Sequence, residues 1–123
     1  MLNTQLHNDA ERFLKALANS LEMKSYLKAK IEFQGNPELG EVRKRFSEKQ
    51  TEIRIKQTAG TLTQEDIESV RSLQNKLNSH PITIRYTQNR NAMVNQLHDC
   101  NQAISQVLGF DFAAAAAPPS CCG

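Results

Sequence analysis

The sequence is poor in the residues that form turns and large aromatic cores. Among 123 residues there are 5 glycines, 4 prolines and no tryptophan, and aromatic residues make up 6%. A turn-rich all-β fold needs more Gly and Pro than this, so the composition excludes one. Leu, Ala, Glu, Lys, Gln and Arg dominate instead, and these are strong helix formers. The length fits one domain.

The sequence also lacks a large net charge and a long apolar run. Its 15 basic and 13 acidic residues give a formal net charge of +2, far from the basic excess of an electrostatic nucleic-acid binder. No apolar stretch approaches the roughly 20 residues that cross a bilayer, and the first residues lack the layout of a signal peptide. We therefore expect a cytoplasmic protein without membrane contact, whose 3 cysteines form no disulfide framework.

The motifs of common catalytic sites are missing as well. The sequence contains no GxSxG elbow, no Walker A loop, no GxGxxG and no HExxH. Its histidines are scattered, at positions 7, 80 and 98. His98 lies two residues from Cys100, so on one helix their side chains point in different directions. We predict no catalytic residues and no enzyme activity.

Helical periodicity runs through nearly the whole chain. Apolar residues recur at i, i+3, i+4 and i+7 in five segments, which capping residues separate. The predicted starts are Asn3 or Thr4, Ser20, Asn36-Pro37, Thr63 with Asp66 as a capping box, and His80-Pro81; the predicted stops are Gly35, Gly60 and Gly109. We predict an all-α bundle of about five helices, with long amphipathic helices, over residues 1–110. Residues 111–123 are predicted to form a flexible Ala/Pro tail that ends in Cys-Cys-Gly.

The third predicted helix offers a surface for association. Charged residues crowd most of its faces, and one narrow apolar stripe is predicted to bind a partner: Leu39, Val42, Phe46 and Ile53. Apolar positions spaced about every 3.5 residues suit helical hairpins that pair with another chain. A single copy of such helices would leave apolar surface exposed. We therefore predict self-association or a helical partner.

The cysteines require two separate interpretations. Cys100 falls on the apolar stripe of the fifth helix, where a buried thiol acts as a small hydrophobic group. Cys121 and Cys122 stand at the end of the predicted tail, where packing gives them no role. Three interpretations of these two thiols stay open: they are metal or cluster ligands, they are redox-active thiols, or they belong to an incidental tail. Two adjacent thiolates cannot complete a four-ligand site alone.

The order of these elements resembles the YlbF/YmcA family of small helical bacterial proteins. No one motif is diagnostic, and the resemblance rests on an ordered set between about residues 5 and 110. The set consists of Ser20-Leu21-Glu22, Tyr26-Leu27-Lys28-Ala29, Asn36-Pro37-Glu38 opening a long helix through Phe46 and Gln50, Ala59-Gly60, Leu62-Thr63-Gln64-Glu65-Asp66, Asn78-Ser79-His80-Pro81-Ile82 and Val107-Leu108-Gly109.

The resemblance implies a non-enzymatic regulatory or scaffolding subunit that associates through its long helices. YlbF and YmcA form a complex with YaaT, which influences competence, sporulation and biofilm formation and assists messenger-RNA processing by RNase Y. The resemblance therefore implies YmcA-like and YaaT-like partners, or further copies of this chain.

The resemblance also bears on the terminal cysteines. Members of that complex carry iron–sulfur clusters through cysteines, so Cys121 and Cys122 are implied as ligands of a cluster shared between chains. Two alternative functions stay open. One is a stand-alone helical homodimer with a structural role. The other is a weak RNA-binding module at Arg43-Lys44-Arg45, whose charge Glu41 and Glu48 dilute.

Overall fold

Six helices and no strand make up residues 2–119, the part of the chain that the computed structural model describes. The helices are α1 (Thr4–Ala18), α2 (Leu21–Gly35), α3 (Pro37–Ala59), α4 (Gln64–Ser79), α5 (Pro81–Leu108) and α6 (Phe112–Ala116). None of them has both the length and the apolar character that crossing a membrane requires. The prediction of an all-α protein with about five substantial helices is confirmed.

The sixth helix is a short addition to the predicted architecture. It lies inside the segment 111–123 that the sequence assigned to a tail, and its N-cap is Asp111, which accepts a hydrogen bond from the Ala114 nitrogen at 3.1 Å. The Ala113 nitrogen donates to the side chain of Asn101 at 2.8 Å, which holds α6 against α5. The boundary between a helical domain and a dispensable tail stays a prediction.

Capping residues set the helix boundaries. A side chain accepts a hydrogen bond from a first-turn backbone N–H at the starts of α1 to α5, and these residues are Asn3, Ser20, Asn36, Thr63 and His80. Each cap satisfies a donor that the helix itself leaves free. Gly60 and Gly109 end α3 and α5 at φ values of 73° and 82°, a region that residues with a Cβ rarely adopt. The predicted caps are therefore confirmed.

The helices pair two by two. α3 and α4 are consecutive and pack against each other, whereas α2 packs against α5, which lies far along the chain. Gln96 hydrogen-bonds with Ser20 and Glu22 at one end of the second pair. At the other end, Arg85 donates to Glu32 at 2.7 Å. These contacts show that α2 runs antiparallel to the first half of α5.

The fully buried part of the chain is small. Among the described residues the buried apolar side chains are Ala29, Leu39 and Val42. An aromatic cluster extends this core between α2 and α5. The ring of Tyr86 stacks on Phe33 at 4.6 Å between centroids, and its centroid lies 6.0 Å from that of Tyr26. The core of the described residues therefore lies where α2 and α3 meet their partner helices, and much of each helix stays exposed.

Candidate partner-binding surfaces

The four residues of α3 that were predicted to bind a partner lie in different surroundings. Leu39 has no exposed surface and Val42 is 4% exposed, so both belong to the chain's own core. Phe46 and Ile53 lie further along α3 and are half-buried. Ile53 lines a groove of about 300 Å³ together with Val70 of α4. Within this set, a partner can reach Phe46 and Ile53, and binding through them stays a prediction.

A buried carboxylate joins the two helices that form this groove. Asp66, at the start of α4, is 5% exposed. It accepts hydrogen bonds from the ammonium groups of Lys56 and Lys49, each 3.0 Å away, and from the backbone N–H and hydroxyl of Thr63. The bonds from Lys56, Lys49 and Thr63 hold the pKa of Asp66 far below its usual range. The network thereby fixes the start of α4 against α3.

The pKa values of the two lysines in this network shift upward, opposite to that of Asp66. Their hydrogen bonds to Asp66 are the main cause that raises the pKa of Lys49 and of Lys56. Glu52 pairs with both, at 3.0 Å from Lys56 and 3.3 Å from Lys49, and these bonds lower the pKa of Glu52. Two ammonium groups therefore share two carboxylates between α3 and α4. We assign this network a structural role.

Arg43 links α3 to the C-terminal end of α2. Its guanidinium carbon lies 4.6 Å from the centroid of the Phe33 ring, and one nitrogen donates to two carbonyl oxygens at the end of α2, at 3.4 and 3.5 Å. A cation is favourable both over an aromatic face and at a helix C-terminus. Arg45 pairs with Glu41 at 3.3 Å. Two of the three basic residues at 43–45 therefore have partners within the chain, which weakens the RNA-binding alternative.

A polar hollow of about 320 Å³ lies between α2 and α5. Its lining residues are Ser25, Lys28, Ala29, Glu32, Arg85 and Asn89. The Arg85 guanidinium and the Glu32 carboxylate in this hollow already neutralise each other at 2.7 Å. The charges there hold α2 against α5, so we assign the hollow a structural role.

The potential metal ligands do not come together in the described part of the chain. Within residues 2–119 no group of three or more His, Cys, Asp or Glu side chains could hold a metal ion. Cys100 is a half-buried free thiol on α5, and His80 serves as the N-cap of α5. Cys121 and Cys122, the predicted cluster ligands, lie outside the described residues. The structure therefore places neither of them.

Large apolar side chains are exposed on α1 and on the C-terminal half of α5. Among the described helices α1 contacts α2 alone, and it buries none of its residues. Leu6, Phe13 and Leu14 of α1 are all exposed, and Val107 near the end of α5 is 87% exposed. The prediction that a single copy leaves apolar surface uncovered is confirmed.

The total exposed area shows how much surface is uncovered. The chain exposes 9,431 Å². A compact monomer of its mass, 13.8 kDa, exposes about 6,600 Å² by the usual scaling of surface with mass. The excess is about 2,800 Å². Interfaces between permanently associated chains bury about 2,000–5,000 Å² in total, which is about 1,000–2,500 Å² from each partner. The excess of one chain is therefore somewhat larger than the area that one such interface takes from each partner.

Sequence reasoning missed the tertiary partners of three cations. The sequence showed only that charged residues crowd the faces of α3, whereas the structure uses Arg43, Lys49 and Lys56 each to join two helices. The spacing of Lys49 and Lys56, seven residues apart, was a usable signal because it places both on one face of α3. Nothing in the local sequence of α3 marked Arg43 as the partner of Phe33.

The chain matches a protein-family model. The family model described as "Control of competence regulator ComK, YlbF/YmcA" matches residues 6–108. This range runs from within α1 to the end of α5 and stops before α6. No curated protein and no solved structure matches the chain.

Proposed function

Because the chain belongs to the YlbF/YmcA family of competence-control regulators, we propose that it is a non-enzymatic regulatory or scaffolding subunit that binds protein partners. The observation that carries the proposal is the set of large apolar side chains that one copy leaves exposed, among them Leu6 and Phe13 of α1 and Val107 of α5. Exposed large apolar side chains that lie together on a surface are a mark of protein–protein interaction sites. The half-buried Phe46 and Ile53 on α3 are part of the surface that we propose for partners.

The partners we propose are YmcA-like and YaaT-like subunits, or further copies of this chain. A complex of that kind acts on messenger RNA through RNase Y, and in our proposal this chain does not contact RNA directly. Two observations support that restriction. The formal net charge is only +2, and Arg43 and Arg45 are engaged within the chain.

The cofactor we propose is an iron–sulfur cluster shared between subunits, with Cys121 and Cys122 as two of its ligands. Common clusters need four protein ligands, so two thiolates from this chain leave two positions to fill. The remaining ligands would come from another subunit. Loss of the cluster would then weaken the complex, and the complex would respond to oxygen or iron supply.

Affinity purification of the tagged chain from its native cell tests the proposal. We expect YmcA-like and YaaT-like proteins to be retained and identified by mass spectrometry. Phe46→Glu, which adds a carboxylate to the proposed surface, should release them. Ser47→Glu is the matched control, because Ser47 is the exposed neighbour on the same helix. Recovery of the chain alone, in a form that light scattering identifies as a homodimer, would instead support the structural-homodimer alternative.

A further inference from the structure

The face of α5 that α2 covers continues beyond the point where α2 ends. Tyr86 on this face stacks against Phe33 of α2. Gln96 bonds to Ser20, the N-cap of α2, and so marks the last position at which α2 lies over α5. Residues on the same face follow Tyr86 at intervals of seven, and they are Met93, Cys100 and Val107. From Gln96 to Leu108 the covered face therefore becomes an uncovered one.

This uncovered face, which we call the α5 seam, has the spacing of a coiled-coil surface. It continues the line of Met93, which lies before Gln96, and its members are Leu97, Cys100, Ile104 and Val107, at intervals of three, four and three residues. Alternation of three and four keeps apolar side chains on the line along which two helices meet. α6 lies to one side of the seam, against Asn101. Leu97 and Val107 of the seam are exposed, whereas Cys100 and Ile104 are half-buried, so the seam is partly open to another helix.

α1 carries a matching apolar line, which we call the α1 seam. Its members follow each other at intervals of four, three and four residues, and they are Leu6, Ala10, Phe13 and Leu17. At 1.5 Å per residue, the α1 seam and the part of the α5 seam beyond Gln96 are each about 16 Å long. Leu6 and Phe13 of the α1 seam are exposed, whereas Ala10 and Leu17 are half-buried, and α2 is the one described helix that α1 contacts. The two seams agree in spacing, chemistry and length.

We infer that the α1 seam of one copy packs on the α5 seam of a second copy. The chain's own α1 does not reach the seam, because it diverges at Asn19-Ser20 and makes no contact with its own α5. A two-fold symmetric pair would form this contact twice, since each copy gives one α1 and receives one. The exchange covers the two exposed stretches of each chain, and it accounts for part of the excess area.

The inference rests on the proposed function in one respect, which is that the chain associates. It adds the location of the contact and the identity of the occupant. A disulfide trap tests both, because Cys100 already lies on the α5 seam. In a Cys121→Ser/Cys122→Ser background, Ala10→Cys places a second thiol near the middle of the α1 seam. Two central positions approach each other whether the helices run parallel or antiparallel.

We expect mild oxidation of the Ala10→Cys variant to give a covalent dimer, seen on a non-reducing gel and assigned by mass spectrometry to a link between positions 10 and 100. Lys15→Cys is the matched control, because it puts the thiol on the opposite face of α1 and should give little of this link. Ala10→Cys/Cys100→Ser is a second control. It carries a thiol at position 10 and none at position 100, so a covalent dimer of this variant would reveal a link between two copies of position 10. A link within one chain, or equal linking from position 15, would overturn the inference.

Light scattering distinguishes failure of the inference from failure of the proposed association. We expect Leu6→Glu/Phe13→Glu to convert the dimer to a monomer while helical circular dichroism is retained, because α1 buries no residue in the single chain. A variant that stays dimeric would overturn the inference and leave the association intact. A wild-type chain that is monomeric at high concentration would also overturn the inference, whereas the proposed association with other subunits fails only if affinity purification retains no partner.

Discussion

The ammonium group of Lys56 lies 3.0 Å from the buried carboxylate of Asp66. The pair joins the last turn of α3 to the first turn of α4. Lys49, two turns earlier on the same face, adds a second bond of 3.0 Å to the same oxygen. Because Asp66 also completes the capping box with Thr63, one side chain both starts α4 and positions it against α3.

Replacement of this carboxylate is expected to destabilise the protein. Asp66→Asn removes the negative charge between two ammonium groups while keeping the size of the side chain. We expect the melting temperature, followed by circular dichroism, to fall by several degrees. Glu65→Gln is the control, since Glu65 is an exposed acid of the same turn. Equal effects of the two substitutions would contradict the role of Asp66.

The same network predicts how stability depends on pH. The pKa of Asp66 is lowered in the folded chain, so its contribution is present above the unfolded value of about 3.9 and is lost as the pH falls below it. The pKa values of Lys49 and Lys56 are raised. Their contribution is complete below about 10.4 and is lost as the pH rises through the raised values. Melting temperatures should therefore fall at both extremes, and Asp66→Asn should reduce both falls.

Two apolar residues of α3 are expected to differ sharply in their effect on stability. Leu39 has no exposed surface and Ile55 is 65% exposed. Leu39→Ala should lower the free energy of unfolding by about 2–5 kcal/mol, because it leaves a cavity in the core. Ile55→Ala should change it by about 0.5 kcal/mol or less. Urea denaturation measures both, and a similar loss from the two would contradict the position of Leu39 in the core.

The interaction of Arg43 with Phe33 predicts that this cation acts on stability and not on RNA binding. Arg43→Ala should cost about 1 kcal/mol, the usual range for a partly exposed cation over an aromatic ring. Lys44→Ala is the neighbouring control, because Lys44 is exposed. Fluorescence anisotropy with a labelled RNA should show no loss of affinity in either variant. A salt-sensitive loss on neutralising residues 43–45 would restore the RNA-binding alternative.

The cluster proposal predicts that bound iron depends on the two terminal cysteines. We expect the chain co-expressed anaerobically with its partner to contain iron and acid-labile sulfide and to absorb visible light. Cys121→Ser/Cys122→Ser should lose all three signals, because serine is a poor ligand for such clusters. Cys100→Ser is the internal control and should keep them. Unchanged iron in the double variant would show that these cysteines are not ligands.

The sequence was enough to predict the helices, and it was not enough to predict which helices pack against each other. Caps such as Asn36 and Thr63 act within one turn, so the local sequence alone places the helix boundaries. Burial depends on packing between distant segments. Leu27 and Ile31 of α2 fit helical apolar spacing, yet both are exposed, because α2 is apolar on more than one face and the sequence does not say which face meets α5. For the same reason, sequence analysis placed Leu39 on a partner surface, and the structure places it in the core.

The pairing of α2 with α5 has a consequence for how the chain folds. The hydrogen bond between Ser20 and Gln96 joins residues 76 positions apart, with the whole α3–α4 pair in between. Closing so long a segment carries a large entropic cost, whereas a hairpin of neighbouring helices closes easily. We expect the α3–α4 hairpin to form first, which shortens the loop that separates α2 from α5 before they pair. Substitutions at the Lys56–Asp66 pair should then slow refolding, and substitutions at Gln96 should mainly speed unfolding.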